Sequence, residues 1–229
     1  MSASVDPGEW VTGPAPVLHI PEVAQRDDLA AFIARVVQLD GTSVVRLRGV
    51  PGQVVAWAGT PFEVLATRAV RGEVRPADLT VPAPDLLAAL AVVRDAEVDP
   101  GSRADDRWRA ELPPTAGWLV VADVPAAELA DLAEAGLAEA RNHAGHGHGG
   151  SPVPPAELLD RTVRTVEGDG LRAAVPLRCL FALSGLGYLA SGDPGQVRVS
   201  ATGDRDWVRL DTPDGAVVRR GRALLPLLF

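Results

Sequence analysis

A helix followed by three short strand-like runs occurs twice in this chain, once near each end. Apolar residues at helical spacing predict the two helices at residues 27–39 and 176–190. Short runs that alternate apolar and polar residues, separated by turn sequences, predict the strands. These runs lie at 42–48, 53–58, 62–70, 196–201, 206–211 and 216–220. The pattern predicts an α+β fold of two helix-plus-three-stranded antiparallel meander modules joined by a helical middle segment.

The middle of the chain separates these two modules. Predicted helices lie at 84–93, 125–141 and 156–166, and a predicted strand lies at 118–122. A stretch rich in histidine, glycine and proline is typical of a flexible linker. The predicted domains are an extended N-terminal segment (1–25), an N-terminal α+β module with a helical extension (26–141), this linker (142–155) and a C-terminal α+β module (156–229).

The residue inventory excludes several classes of enzyme and site. All 22 basic residues are arginine, so chemistry that needs a P-loop, Schiff-base or kinase lysine is excluded. The single cysteine, Cys179, lies in an apolar run, which favours a buried core thiol. No segment has the features of a signal peptide or the roughly 20 apolar residues that span a bilayer, which predicts a cytoplasmic protein without a membrane partner. A formal net charge of −8 opposes general affinity for nucleic acid.

Three of the four histidines, His143, His146 and His148, lie together in a glycine-rich stretch. Neutral imidazoles at this spacing bind zinc or nickel, so the three residues form a candidate metal site. The competing interpretation is a solvated connector that binds metal only incidentally. No carboxylate or cysteine lies inside the stretch to complete the ligand set, and ordering a loose loop costs conformational entropy. The sequence implies no other cofactor.

Arginines alternate with apolar residues in the predicted strands of both modules. Arg46 and Arg48 lie in the first meander, and Arg198 and Arg209 lie in the second. Together with Trp207 they form a candidate partner-binding face for an acidic protein, an anionic ligand or RNA. The alternative is the ordinary exposed face of a half-buried sheet, on which arginine only provides solubility.

The chain ends in the apolar sequence Leu-Leu-Pro-Leu-Leu-Phe at 224–229. Water disfavours exposure of such a segment, so it is expected to dock on the core of its own chain or to contact a second subunit. The second arrangement would make the protein a homo-oligomer.

Three phrases of the sequence are similar to a known group of proteins. They are Val44-Val-Arg-Leu-Arg48, Pro113-Pro-Thr-Ala-Gly-Trp118, and Trp207-Val-Arg-Leu-Asp211 with Arg219-Arg220 after it. In these phrases the chain resembles conserved hypothetical proteins of high-GC Gram-positive bacteria. The resemblance implies an uncharacterised family without a known activity, and it supplies no site residues.

The absence of a recognisable catalytic constellation favours a non-enzymatic cytosolic interaction or regulatory protein with an unidentified protein partner. The first alternative is a metal-binding protein or metal-dependent enzyme that uses the three clustered histidines. The second is nucleic-acid binding through the arginine-bearing sheet faces, which the negative net charge disfavours.

Overall fold

The computed structural model of the chain describes residues 15–144, 154–168, 170–190, 192–203 and 206–221. Its helices are α1 (Val23–Leu39), α2 (Ala83–Val92), α3 (Ala126–Ala144), α4 (Ala156–Leu159) and α5 (Leu177–Gly185). Its strands are β1 (Val17–His19), β2 (Val44–Val50), β3 (Gln53–Gly59), β4 (Leu65–Arg71), β5 (Glu73–Arg75), β6 (Asp78–Pro82), β7 (Glu97–Val98), β8 (Trp118–Pro125), β9 (Thr162–Gly168), β10 (Leu171–Pro176), β11 (Gln196–Thr202), β12 (Trp207–Thr212) and β13 (Gly215–Arg220). None of the helices in these ranges is long and apolar enough to cross a membrane.

Eight strands form one antiparallel sheet in the order β6-β2-β3-β4-β13-β12-β11-β8. Alternate residues of each strand point to opposite faces, and most of the buried apolar residues point to one of them. In β2, for example, Val45 and Leu47 are fully buried. They join a core that includes Phe32 of α1 and Leu180 of α5. The sheet therefore has an inner face that packs on the helices and an outer face that is turned away from them.

The predicted architecture of two separate meander modules is wrong. A helix does precede each predicted meander, as α1 before β2–β4 and α5 before β11–β13. The two meanders nevertheless share one sheet, because β13 pairs with β4 and places Val217 opposite Ala66. Each of these strands would otherwise leave a row of unpaired backbone groups at the edge of a small sheet. The middle segment was predicted to be helical apart from a strand at 118–122. It supplies β6 and β8, the two outermost strands of the sheet.

The structure contains further strands that the prediction omitted. β1 lies between β5 and β7 in a three-stranded sheet, and β9 pairs with β10. The helix predicted over 156–166 ends at Leu159, and β9 occupies its second half. Four of the five residues from 162 to 166 are β-branched threonine or valine, which disfavours helix and favours strand.

Some of the predicted organisation falls outside the described residues. Residues 1–14 of the predicted extended segment lie there, as do 145–153 of the predicted linker and the apolar end at 224–229. The rest of the predicted extended segment contains β1 and the start of α1. The predicted domain limits and the contact made by the apolar end stay predictions.

A buried ion network on the inner side of the sheet connects its two halves, β6-β2-β3-β4 and β13-β12-β11-β8. The side chain of Arg178 in α5 is fully buried, and its Nη2 lies 2.5 Å from Oδ1 of Asp160. The same oxygen lies 2.9 Å from Nη2 of Arg219 in β13. On the other side, Nη1 of Arg178 donates to the carbonyl oxygen of Phe62 at 2.8 Å and lies 2.9 Å from Oε2 of Glu63. Two guanidinium groups therefore share one largely buried carboxylate, and Arg178 also joins the turn before β4.

Candidate interaction groove

Each of the four arginines that the sequence singled out is paired with a carboxylate of its own chain. Nε and Nη2 of Arg46 donate to the two oxygens of Asp78 at 2.7 and 2.6 Å, and Arg48 lies 3.8 Å from the same carboxylate. Arg198 lies 3.0 Å from Asp123 on the neighbouring strand β8. Within β12, Arg209 lies 2.7 Å from Asp211. The outer face is therefore a mixed-charge surface.

The pKa directions agree with this pairing. The hydrogen bond from Arg46 holds the pKa of Asp78 below its ordinary value, although partial burial opposes the shift. The same bond raises the pKa of Arg46, and the hydrogen bond to Asp123 raises that of Arg198. Asp78 therefore stays ionised and balances the guanidinium of Arg46 at neutral pH. A partner-binding role for the four arginines stays a prediction.

Trp207, the fifth residue of the predicted face, lies in an apolar cluster on the outer side of the sheet. Its side chain is buried with Trp57, Leu65 and Val218. Trp108, Leu112 and Trp118 pack against the outside of this cluster. The cluster spans the seam at which β4 meets β13, so Trp207 contributes to the core. Four of the five tryptophans of the chain meet here, although they are far apart in sequence.

The segment 99–117, which we call the strap, connects β7 to β8 across the outer face. Its start covers the edge of β6, because the backbone N–H of Ala104 donates to the carbonyl of Thr80 and the N–H of Thr80 donates to Oδ1 of Asp105. Further along, Trp108 packs on the tryptophan cluster and Glu111 forms a close ion pair with Arg220 of β13. The strap is therefore held to strands from both halves of the sheet.

A groove of about 600 Å³ lies between the strap and the adjoining ends of α1, β2 and β3. Its lining includes Asp40, Ser43, Thr60, Arg107, Trp108 and Arg109. Arg107 donates to the carbonyl of Thr42 at 2.6 Å, and Arg109 donates to the carbonyl of Asp106. Among the described residues, no ion pair joins either guanidinium to a carboxylate. The groove therefore presents two guanidinium groups that no described ion pair balances, and Asp40 is the one acidic residue of its lining.

The other walls of the groove supply polar and aromatic groups. The indole N–H of Trp108 donates to the carbonyl of Ala110 at 2.6 Å, and the guanidinium of Arg46 lies 5.8 Å from its ring centroid. Ser43 is almost fully buried, and its hydroxyl has no hydrogen-bond partner in the described structure. On the opposite wall, Oδ1 of Asp40 accepts hydrogen bonds from the N–H and the hydroxyl of Thr42. The groove can hold an anion together with a small apolar or planar group.

Sequence reasoning did not identify this groove. Arg107, Trp108 and Arg109 lie in a charged stretch that is typical of an exposed surface. The one signal that separates them from their neighbours is a tryptophan between two arginines, which is a common feature of recognition surfaces. The lack of an ion pair to these arginines depends on contacts across the strap and cannot be seen in the sequence.

The predicted metal site lies at the limit of the structure. His146 and His148 are outside the described residues, whereas the backbone of residue 143 belongs to α3. Within the described ranges, no three histidine, cysteine or acidic side chains are placed to hold a metal ion. His19, the fourth histidine, lies in β1 opposite Glu73 on one side and Glu97 on the other. These three residues line a second cavity of about 580 Å³ and do not form a metal-binding group.

Cys179 is expected to be inert in the folded protein. Burial raises the pKa of its thiol to about 12, although Arg219 and Arg178 oppose the shift, and the thiolate is the reactive form. We expect Ellman's reagent at mildly alkaline pH to label no thiol in the native protein and one thiol per chain after unfolding in guanidinium chloride. Rapid labelling of the native protein, at the rate of the unfolded chain, would contradict the buried position of this residue.

Comparison with known proteins divides the chain into two parts. Residues 14–110 match the family model described as "Domain of unknown function (DUF8010)", and residues 113–224 match "Domain of unknown function (DUF8185)". Together the two matches span most of the chain, and they agree with the uncharacterised family that the sequence predicted. The bacterial group named by the resemblance stays a prediction. No curated protein matches the chain. The two matches meet within the strap.

The fold resembles that of bacterial DNA polymerase sliding clamps. The clamp of Bacillus subtilis has a TM-score of 0.54 at 12% identity over 90% of this chain and 64% of the clamp. The clamp of Caulobacter crescentus has a TM-score of 0.54 at 14% identity over 89% and 65% of the two chains. The clamp of Pseudomonas aeruginosa has a TM-score of 0.51 at 16% identity over 91% and 66%. The chain thus spans slightly less than two thirds of these clamps, and at this identity the likeness shows the fold alone. A clamp-like fold replaces the predicted pair of modules.

Proposed function

We propose that this chain is a non-enzymatic interaction protein whose strap groove binds an acidic segment of a partner protein. The observation that carries the proposal is the pair of guanidinium groups, Arg107 and Arg109, that flank an indole without a paired carboxylate. Carboxylates of an incoming peptide supply the missing counter-charge through charge-assisted hydrogen bonds. The ring of Trp108 gives an apolar residue of that peptide a surface to pack on.

The charge distribution favours an acidic peptide over nucleic acid as the occupant of the groove. The formal net charge is −8, and a nucleic acid needs many phosphate contacts to overcome such repulsion. Helices α1, α2, α3 and α5 together carry four arginines and seven acidic residues, so they offer no basic surface either. The solved structures with this fold are clamps of DNA polymerases.

A peptide selection tests the proposal. A phage-displayed peptide library is selected on the immobilised full chain, and the best ligand is synthesised for titration calorimetry. We expect acidic ligands. The double variant Arg107→Gln/Arg109→Gln should weaken the best of them by about 10–100-fold, because a lost hydrogen bond to a charged group is worth about 1.5–3 kcal/mol and solvent reduces that value at an exposed site.

The matched control makes the same change of charge elsewhere on the outer face. Arg48→Gln/Arg198→Gln removes two arginines that already contact carboxylates, and it should leave the peptide affinity unchanged within about twofold. Ligands without acidic enrichment, or equal binding by the groove variant, would refute the proposal. A single-stranded DNA oligonucleotide is titrated in parallel. Tight binding that needs Arg107 and Arg109 and falls steeply with salt would assign the groove to nucleic acid instead.

The arginine-bearing sheet face is the second candidate surface. It is supported by the placement of Arg46, Arg48, Arg198 and Arg209 on the one outer face. A partner there would have to displace the carboxylates that these arginines already bind, which makes this candidate the weaker one. If the control variant loses peptide affinity and the groove variant does not, this second surface is the binding site.

A further inference from the structure

The two outer edges of the eight-stranded sheet differ in how they are protected. At one edge, both backbone groups of Thr80 in β6 are bonded to the strap, and Pro82 has no N–H to offer. At the other edge, β8 pairs only with β11 among the described strands. One edge is therefore covered by the protein's own chain, whereas the other presents backbone donors and acceptors that can extend the sheet.

The first part of β8 also lacks the residues that normally protect an edge strand. Between Glu111 and Asp123 the chain carries no charged residue. Leu119 and Val120 are 48% and 49% exposed, although edge strands usually place proline or a charged residue such as lysine at such positions. β9 approaches the strand at Val121, where a Cβ on Gly168 would collide with the carbonyl oxygen. The unprotected stretch is therefore Trp118–Val120.

We infer that β8 is a self-association edge, at which two copies of this chain pair antiparallel about a twofold axis near Leu119. Head-to-tail pairing within this sheet would need the β6 edge, which the strap covers, so the copies pair through the same strand of each. A twofold axis at Leu119 places Trp118 opposite Val120. Two chains with a net charge of −8 then meet along an uncharged strip without opposed carboxylates. The inference goes beyond the proposed function and does not depend on it.

Sedimentation velocity of the purified full chain tests this inference. We expect a particle of twice the 23.9 kDa chain mass, and Leu119→Lys should halve that mass by placing a charge on the shared edge. The control Val92→Lys makes the same change at a 76% exposed valine of α2 and should leave the dimer intact. A monomeric wild-type protein at every concentration, or a Leu119→Lys variant that remains dimeric, would overturn the inference.

A cysteine variant tests the symmetry without disturbing the fold. Directly opposed residues of an antiparallel pair lie close enough for a disulfide, so Leu119→Cys should form covalent dimers on mild oxidation. The native Cys179 is buried and does not compete. Val50→Cys, at an exposed position of β2, should stay monomeric on a denaturing gel. A Leu119→Cys protein that gives no more covalent dimer than this control would overturn the twofold arrangement. Peptide affinity should be unaffected by Leu119→Lys, which separates this test from that of the groove.

Discussion

Replacing Asp160 by asparagine is expected to lower the free energy of unfolding by about 3–5 kcal/mol. The substitution keeps the size of the side chain but removes the charge that Arg178 and Arg219 share. Arg178 is fully buried, and only Glu63, whose side chain is 77% exposed, would remain to balance it. Two like charges would then face each other in a poorly solvated site. Urea denaturation followed by far-ultraviolet circular dichroism measures the change.

Asp123→Asn is the matched control for this experiment. It removes one carboxylate from an ion pair in the same sheet, but both members of the Arg198–Asp123 pair are largely exposed. Exposed pairs contribute about 0–1 kcal/mol, so the control should be close to the wild type. Equal effects of the two substitutions would show that the buried network does not stabilise the contact between the two halves of the sheet.

Replacing Trp207 by alanine is expected to lower the free energy of unfolding by about 3–5 kcal/mol, because it empties the centre of the outer cluster. The indole of Trp207 is buried with Trp57, Leu65 and Val218. These residues come from both sides of the short seam between β4 and β13, so a cavity here weakens the contact between the two halves. Far-ultraviolet circular dichroism is again the appropriate signal, since the substitution itself changes tryptophan fluorescence.

Trp207→Phe keeps most of the apolar volume and should lose clearly less stability than the alanine variant. A loss below about 1 kcal/mol for Trp207→Ala would mean that the side chain is not held in the seam. In that case Trp207 would be available to a partner, as the sequence predicted. The two substitutions therefore test whether Trp207 belongs to the core or to a binding surface.

The buried network and the tryptophan cluster have a common consequence for the groove. Both hold the two halves of the sheet together, one on the inner side through Arg178 and one on the outer side beneath the strap. Arg107 and Arg109 lie on the strap, so their positions depend on the strands to which the strap is tied. A binding site supported by fixed strands loses less entropy when it orders a ligand.

The sequence by itself determined the local structure of most elements. Apolar spacing located α1, α5 and both meanders to within about five residues. This works because the period of a helix or a strand is set by its own backbone geometry, and that period decides which positions along the element are buried. Composition excluded lysine chemistry. The resemblance carried by three phrases of the sequence implied an uncharacterised family, which the comparisons confirmed. The second half of the helix predicted over 156–166 was the clearest local error, and its β-branched residues were the signal that was missed.

Only the tertiary structure decided how these elements combine. No local pattern states that β13 pairs with β4, that Arg46 meets a carboxylate 32 residues away, or that Arg198 meets one 75 residues away. The same applies to the strap, which packs on tryptophans from both halves of the sheet and carries Arg107 and Arg109, neither of which is in a described ion pair. Such pairings follow from strand order and register, which are fixed by contacts between distant segments. An arginine on a strand looks the same in sequence whether its charge is balanced or available to a ligand, and only its neighbours in space distinguish the two.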